Sequence, residues 1–117
     1  MIHICICDDS DAMRDELCGL IQELCQKHSI AASVSCCSSG EELLFDPDDK
    51  NRTTDIFFLD ILMKKLNGIE TAARLRAINP TAQIIFLTVS KEHVFEALDV
   101  MPLHYLLKQD MRTEKIE

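Results

Sequence analysis

Short apolar runs alternate along the chain with longer stretches in which hydrophobic residues recur at helical spacing. The runs have the length of β-strands, and the stretches between them have the period of an amphipathic helix. Five strands are predicted on this basis, at residues 2–7, 32–37, 55–60, 83–89 and 103–107. Because strands that alternate with helices form a parallel sheet with helices on both faces, the sequence predicts a doubly wound α/β domain.

Residues that favour helix ends delimit the helices between these strands. Ser10 is a predicted N-cap of the first helix, and Ser39 with Glu42 has capping-box spacing at the start of the second. Pro80 and Pro102 are predicted to stop the third and fourth helices. The predicted buried faces consist of Met13, Leu17, Leu20, Ile21 and Leu24, then Leu43 and Leu44, then Ile69, Ala72, Ala73 and Leu75, and finally Val94, Ala97, Leu98 and Met101.

The stretch 45–54 is polar and interrupted by a proline. Its acidic residues invite comparison with a calcium-binding loop, but Lys50 and Arg52 replace ligands and the turn has no glycine. We therefore expect a solvated loop.

Four of the five predicted strands end in polar or charged residues. Asp8 and Asp9 follow the first strand, Asp60 ends the third, Thr88 lies at the end of the fourth, and Lys108 follows the fifth. Each has an ordinary structural explanation by itself, such as a helix cap, a turn or a surface lysine. Because ligands bind beyond the carboxyl ends of parallel strands, their joint placement at one edge of the sheet indicates a functional site.

Composition narrows the classes of function. The chain has 117 residues, which suits one domain, and its formal net charge of −8 with no basic stripe argues against nucleic-acid binding by this domain. No signal peptide or membrane-spanning segment is predicted. The six cysteines lack the spacing of a zinc site, so we expect reduced, half-buried thiols and a cytoplasmic location.

The polar residues at the strand ends resemble those of a known family, the receiver domain of bacterial two-component response regulators. The resemblance covers nearly the whole chain and implies one receiver domain at residues 1–117, with a flavodoxin-like fold and strand order 2-1-3-4-5. The stretch from 84 to 108 is similar to receivers that precede a LytTR-type DNA-binding domain. Nine residues follow Lys108, so we expect a truncated fifth helix and no output domain in this chain. The motifs that carry the resemblance are Asp8-Asp9, Asp60 in FFLDILM, Gly68, Thr88 in IIFLTVS and Lys108 in HYLLK.

The resemblance implies a signalling phosphoacceptor rather than an enzyme in the ordinary sense. Asp60 would take a phosphoryl group from a sensor histidine kinase. Three crowded carboxylates would raise one another's pKa unless a cation intervenes, and Mg²⁺ is the hard cation that suits them. By the same resemblance, the Mg²⁺ ligands would be Asp9, Asp60 and the backbone carbonyl of Leu62, with Asp8 acting through water.

The resemblance also implies how the signal leaves the site. Thr88 and Lys108 would bind phosphoryl oxygens, and Thr88 with Tyr105 would form the switch. The surface of the fourth helix, fifth strand and fifth helix would then favour a homodimer or act on an output domain that regulates transcription. The receiver itself would contact neither nucleic acid nor membrane.

Three positions depart from the usual family pattern. Gln109 follows Lys108 at a position where proline is usual in the family. Lys64 likewise stands where proline is common, which leaves its loop less stiff and more positive. Val89 follows Thr88 where a small residue is usual. Our hypothesis is that the branched side chain of Val89 narrows the access of phosphodonors.

Three other functions remain open at this stage. A pseudo-receiver would use the same fold for protein interaction without efficient phosphorylation. A haloacid-dehalogenase-type phosphatase would use the DxD spacing of Asp9 and Asp11, but Met13 stands where threonine or valine is normal. A flavodoxin-like FMN carrier would need a phosphate-cradling loop after the first strand, where this chain has acids.

Overall fold

The computed structural model describes residues 1–89 and 92–108, and within them strands and helices alternate. The strands are β1 (Ile2–Cys7), β2 (Ala32–Cys37), β3 (Ile56–Leu59), β4 (Gln83–Thr88) and β5 (His104–Leu107). The helices are α1 (Asp11–Lys27), α2 (Gly40–Leu44), α3 (Gly68–Ile78) and α4 (Val94–Leu98), and a single 3₁₀ turn occupies Lys50–Arg52. All strand pairs are parallel and the order is β2-β1-β3-β4-β5, which confirms the predicted doubly wound sheet.

The central strands are apolar on both faces because helices cover both sides of the sheet. One core cluster contains Phe57, Leu59 and Phe86 and packs with residues of α2 and α3. The other contains Ile6, Phe58 and residues of α1. The edge strand β2 is less buried and carries no charged residue. This arrangement fixes the carboxyl ends of β1, β3 and β4 in one rigid row.

Side-chain caps begin three of the helices. The Ser10 hydroxyl accepts a hydrogen bond from the Met13 amide, as predicted. The Ser39 hydroxyl likewise accepts one from the Glu42 amide, but the Glu42 carboxylate bonds Ser38 instead of closing a capping box. A complete capping box occurs at α3, where Asn67 and Glu70 bond each other's backbone.

Two of the predicted helix faces need correction. In α3, Ala73 is exposed and Thr71 is buried. In α4, Leu98 and Met101 are 58% and 72% exposed, whereas Ala97 and Val100 are buried. Helix α4 ends at Leu98 and the backbone of Met101 has a left-handed φ of 52°, so Met101 no longer follows the helical periodicity.

The stretch predicted as a solvated loop at 45–54 is exposed over most of its length, with two exceptions. Asn51 and Thr54 are buried there. The Asn79 side-chain amide donates hydrogen bonds of 2.8 Å to the carbonyls of both residues, and the Asn51 side chain donates to the Leu43 carbonyl at 2.8 Å. Buried amides that satisfy buried carbonyls hold this loop against the end of α3.

All six cysteines are free, as predicted, but Cys5 and Cys7 are fully buried rather than half-buried. None of the described helices is both long and apolar enough to cross a membrane. Gln109 and the predicted truncated fifth helix lie outside the described residues.

Gly68 allows α3 to begin directly against the end of β3. A Cβ atom at this position would lie 2.1 Å from the Asp60 carbonyl oxygen and 2.9 Å from the Ile61 Cα atom, and both are backbone atoms. The Gly68 amide donates to the Ile61 carbonyl at 3.0 Å. The start of α3 therefore fixes the backbone on which the Asp60 side chain stands.

We expect the substitution Gly68→Ala to lower the free energy of unfolding by about 2 kcal/mol or more, because backbone atoms must move to admit the new methyl group. Gly19→Ala is the matched control, since nothing lies within 4 Å of a Cβ atom there. In the exposed interior of α1 it should stabilise the protein by about 1 kcal/mol. Urea unfolding of both variants measures the contrast, and equal effects of the two substitutions would contradict it.

Candidate functional site

Three carboxylates meet at the carboxyl edge of the sheet. Asp8, Asp9 and Asp60 each offer an oxygen atom, and these atoms lie within 4.8 Å of one another. Asp8 and Asp60 follow the paired residues Cys7 and Leu59 on neighbouring strands. They are 3% and 4% exposed, whereas Asp9 is exposed at the mouth of the cleft. The sequence prediction that these three residues lie together agrees with this geometry.

Backbone contacts fix Asp8 from three sides. Its amide donates to the Cys37 carbonyl at 3.2 Å, and its carboxylate accepts from the Ser10 amide at 2.9 Å. Its carbonyl accepts from Arg14 Nη1 at 2.7 Å, and Arg14 also forms an ion pair with Asp11. Sequence reasoning missed Arg14. Its only signal was the spacing of three residues from Asp11, because a contact with a backbone carbonyl leaves no trace in residue types.

Asp60 is held in the cleft by both its backbone and its side chain. The Asp60 amide donates to the Cys7 carbonyl at 2.9 Å, and the Leu62 amide donates to Asp60 Oδ1 at 3.3 Å. Burial raises the pKa of Asp60, and the charge of Asp8 raises it further, while Lys108 and the Leu62 amide lower it. The sequence argument ascribed the shift to repulsion between carboxylates, but burial is the larger cause.

Lys108 reaches the two buried carboxylates from the end of β5. Its Nζ atom lies 2.8 Å from Asp8 Oδ2 and 3.2 Å from Asp60 Oδ2. Burial lowers the pKa of Lys108, but its hydrogen bonds and charge interactions with Asp8 and Asp60 outweigh burial and leave the pKa raised. The ammonium group is therefore the cation that compensates the buried negative charge.

Thr88 is fully buried at the end of β4. This strand lies between β3, which is followed by Asp60, and β5, which is followed by Lys108. Among the described residues, its Oγ1 atom is the buried side-chain oxygen without a hydrogen-bond partner. Native proteins rarely leave such an atom unsatisfied, so a missing acceptor or donor is expected here. Tyr105 lies on the neighbouring strand, half-buried, with its ring centroid 6.2 Å from that of Phe86. Burial raises the pKa of Tyr105.

Contacts of Met63 hold the loop after Asp60, in which Lys64 stands where the family commonly has proline. Met63 is buried, its amide donates to the Ile61 carbonyl at 2.9 Å, and its sulfur lies 3.7 Å from Cys7 Sγ. Leu62 and Lys64 are exposed on either side of it. That the loop is less stiff than one with proline stays a prediction, and the positive charge of Lys64 faces solvent.

The donor set fits a hard divalent cation and a phosphoryl group. Three clustered carboxylate oxygens suit Mg²⁺, which takes oxygen ligands and keeps several waters. The unpartnered hydroxyl of Thr88 and the ammonium group of Lys108 suit anionic oxygens. A phosphate held directly after β1 would instead face Asp8 and Asp9, which argues against an FMN site.

Comparisons with known proteins identify the family. The sequence model of the response regulator receiver domain matches residues 4–116. A positive alginate biosynthesis regulatory protein of Pseudomonas aeruginosa is 34% identical over 107 residues, which cover 92% of this chain and 41% of the relative. The sensory transduction protein LytT of Oceanobacillus iheyensis is 34% identical over 109 residues, which cover 92% of this chain and 42% of the relative.

The fold is found in solved receiver structures as well. In the CheX–CheY–BeF3–Mg complex of Borrelia burgdorferi, the matching chain aligns with a TM-score of 0.79 at 20% identity over 98% of this chain and 83% of that one. The chain spans about two fifths of the length of the curated relatives it matches. The relatives named LytT agree with the resemblance to receivers of the LytTR type. The chain belongs to the response regulator receiver domain family of two-component systems.

Proposed function

We propose that this domain is a phosphoacceptor switch in which Asp60 takes a phosphoryl group from the phosphohistidine of a sensor histidine kinase. Receiver domains interact with such kinases and bind Mg²⁺ at an acidic pocket. The observation that carries the proposal is the convergence of Asp8, Asp9, Asp60 and Lys108 at one sheet edge. We place the reaction in the cytoplasm as part of the same proposal.

In the proposed reaction an oxygen of the Asp60 carboxylate attacks phosphorus. The bond between phosphorus and the histidine nitrogen breaks, its electron pair returns to the imidazole, and an acyl phosphate forms on Asp60. Such transfers depend mainly on positioning and on charge stabilisation. The Leu62 amide fixes one carboxylate oxygen and Lys108 lies beside the other, so the nucleophile is oriented before the phosphodonor arrives.

Asp9, Asp60 and the carbonyl of Leu62 would hold Mg²⁺ directly, and Asp8 would act through water. The ion, when bound, supplies positive charge between the carboxylates and the phosphoryl oxygens. Unit charges about 4 Å apart interact by about 4 kcal/mol at an effective dielectric near 20, so this neutralisation is substantial. Lys108 already contributes one positive charge, and we propose that it turns from the carboxylates toward a phosphoryl oxygen as the reaction proceeds.

Thr88 supplies the first step of the proposed switch. Its unpartnered hydroxyl would donate to a phosphoryl oxygen and draw the end of β4 toward Asp60. Tyr105 lies beside β4, in register with Phe86, and would turn inward behind the moving threonine. The surface formed by α4, β5 and the fifth helix would then favour a homodimer or release an output domain, which we propose to be a LytTR-type DNA-binding domain that regulates transcription.

A pseudo-receiver is the second candidate, because Lys108 already pairs with both Asp8 and Asp60 and offsets part of their charge. Such a domain would serve as an interaction module without efficient phosphorylation. Binding of Mg²⁺ by the domain separates the two candidates.

The substitution Asp60→Asn should keep the fold and abolish labelling by acetyl phosphate with Mg²⁺, because the amide is not a nucleophile for phosphoryl transfer. Acid-quenched incorporation of radioactive phosphate measures the result. Asp48→Asn is the control, since Asp48 is an exposed carboxylate in the loop before β3. Labelling that persists in the Asp60 variant would rule out Asp60 as the acceptor.

We expect the unmodified domain to bind Mg²⁺ in a calorimetric titration and Asp9→Ala to weaken this binding about tenfold or more, a loss of at least about 1.4 kcal/mol. Asp15→Ala removes an exposed carboxylate of α1 and should leave the affinity unchanged. A wild-type domain that releases no heat with Mg²⁺ would favour the pseudo-receiver. An Asp9 variant that binds as tightly as the parent would remove Asp9 from the ligand set.

Val89 is exposed next to Thr88 in the sequence, and our hypothesis is that its side chain narrows the access of phosphodonors. We expect Val89→Ala to raise the rate of labelling by acetyl phosphate a few fold, which corresponds to about 1 kcal/mol or less in the barrier. Ile30→Ala, an exposed apolar residue at the opposite edge of the sheet, is the control. A Val89 variant that is labelled no faster than the parent refutes the hypothesis.

A further inference from the structure

Arg76 of α3 connects two loops that are distant in sequence. Its Nε atom donates to the Val100 carbonyl at 2.8 Å, and Nη2 donates to the Met101 carbonyl at 2.9 Å. Nη1 donates to the Ala82 carbonyl and, at 3.4 Å, to the Pro80 carbonyl. All these acceptors belong to the backbone. The planar guanidinium group, with five donors in a fixed fork, is suited to hold two segments at once.

The two loops precede the two strands that carry the proposed switch. Ala82 stands directly before β4, which ends at Thr88. Val100 and Met101 stand between α4 and β5, which contains Tyr105. The Leu103 amide donates to the Ile84 carbonyl at 2.7 Å and joins the starts of both strands. Arg76 therefore fixes the ends of β4 and β5 that lie away from the acidic cleft.

The backbone of Met101 needs such support. Its φ of 52° is left-handed, a conformation that is unfavourable for a residue with a Cβ atom. Its side chain is largely exposed, so burial of that side chain does not compensate. The contacts that hold it are the hydrogen bond from Arg76 to its carbonyl and that from its amide to the Leu98 carbonyl at 3.0 Å. Strained residues of this kind persist only where their surroundings enforce them.

The two ends of α4 differ in how they are held. Val100, two residues after its C-terminal end, is buried in the core, and its carbonyl accepts a hydrogen bond from Arg76. At the N-terminal end, the N-cap residue His93 makes no side-chain capping bond, but its ring lies 3.4 Å from the Glu96 carboxylate and its backbone is hydrogen-bonded to Tyr105. A displacement that starts at the end of β4 thus meets a C-terminal end that is fastened to α3 and an N-terminal end that is joined to Tyr105.

We propose that Arg76 is a positioning residue of the switch. It anchors the C-terminal end of α4 and the loop before β5 to α3. Movement of Thr88 is therefore transmitted to the N-terminal end of α4 and to Tyr105. This inference rests on the proposed function, because it concerns how the phosphorylated site reaches the output surface. It assigns Arg76 no part in the phosphoryl transfer itself.

The experiment uses Arg76→Met with Arg74→Met as the matched control, since Arg74 is an exposed arginine of the same helix. Tyr105 is the only tyrosine and the chain has no tryptophan, so intrinsic fluorescence reports Tyr105 directly. Mg²⁺ with beryllium trifluoride is the probe of the activated state. We expect Arg76→Met to keep the rate of Asp60 labelling within about twofold and to lose about half or more of the fluorescence change. The Arg74 variant should behave as the parent.

Two further variants separate positioning from general destabilisation. Met101→Gly removes the conformational cost at 101, so the double variant Arg76→Met/Met101→Gly should regain most of the fluorescence change if Arg76 acts through this backbone. If Arg76→Met does not fold, Arg76→Lys takes its place, because it keeps the charge and loses the fork. A full fluorescence change in the Arg76 variant, or an equal loss in the Arg74 variant, overturns the proposal.

Failure of the proposed function gives a different result. In that case the parent shows neither labelling nor a fluorescence change. Amide hydrogen exchange at Leu103 then decides the anchoring role, since its bond to Ile84 should open at least about tenfold more often in the Arg76 variant than in the Arg74 variant. Equal exchange in the two variants also overturns the proposal.

Discussion

The compensation of two buried carboxylates by one lysine is the interaction on which the site depends. Asp8 and Asp60 are nearly inaccessible to water, and charges in such surroundings are costly unless they are paired. The paired ammonium group comes from the far end of the sequence, so the ion pairs join the last strand to the first and third. Removal of Lys108 would leave both carboxylates buried without a paired cation, a change that typically costs about 3–5 kcal/mol. The groups proposed for chemistry therefore also hold the sheet edge together.

The same contacts shift the pKa of Asp60 in opposite directions. Burial and the neighbouring aspartate raise the pKa of Asp60, while Lys108 opposes both effects. The contact that lowers the pKa of Asp60 is thus one that a bound cation could replace. Next to it, the hydroxyl of Thr88 has no partner in the described part of the chain. The cleft thus holds one positive charge among three carboxylates, and the strand that ends beside it carries an unsatisfied polar atom.

Much of the fold and most of the site were predictable because the central strands are apolar on both faces and polar only where they end. The positions of Asp60, Thr88 and Lys108 follow from that rule alone. Side chains that bond backbone carbonyls were not predictable, and Arg14, Arg76 and Asn79 are the cases here. A carbonyl is present at every residue, so such contacts depend on the tertiary structure and not on residue pairs.

The α4 region was the least predictable part for a related reason. Its apolar residues keep helical spacing, but the helix ends after five residues and Leu98 and Met101 turn outward. Phe95 and Leu103 are exposed as well. Periodicity predicts burial only while the element continues and a covering layer exists. Local rules are commonly violated where function requires it, and the proposed output surface is such a place.

The edge strand β2 has a consequence for the behaviour of the domain in concentrated solution. Its sequence ASVSCC contains no lysine, proline or inward charge, which are the usual devices that prevent intermolecular strand pairing. Only one side of this strand is paired within the described sheet. The outer backbone of β2 therefore offers a template for self-association that is independent of any signal. A single lysine substituted into this strand would improve colloidal stability without contacting the acidic cleft.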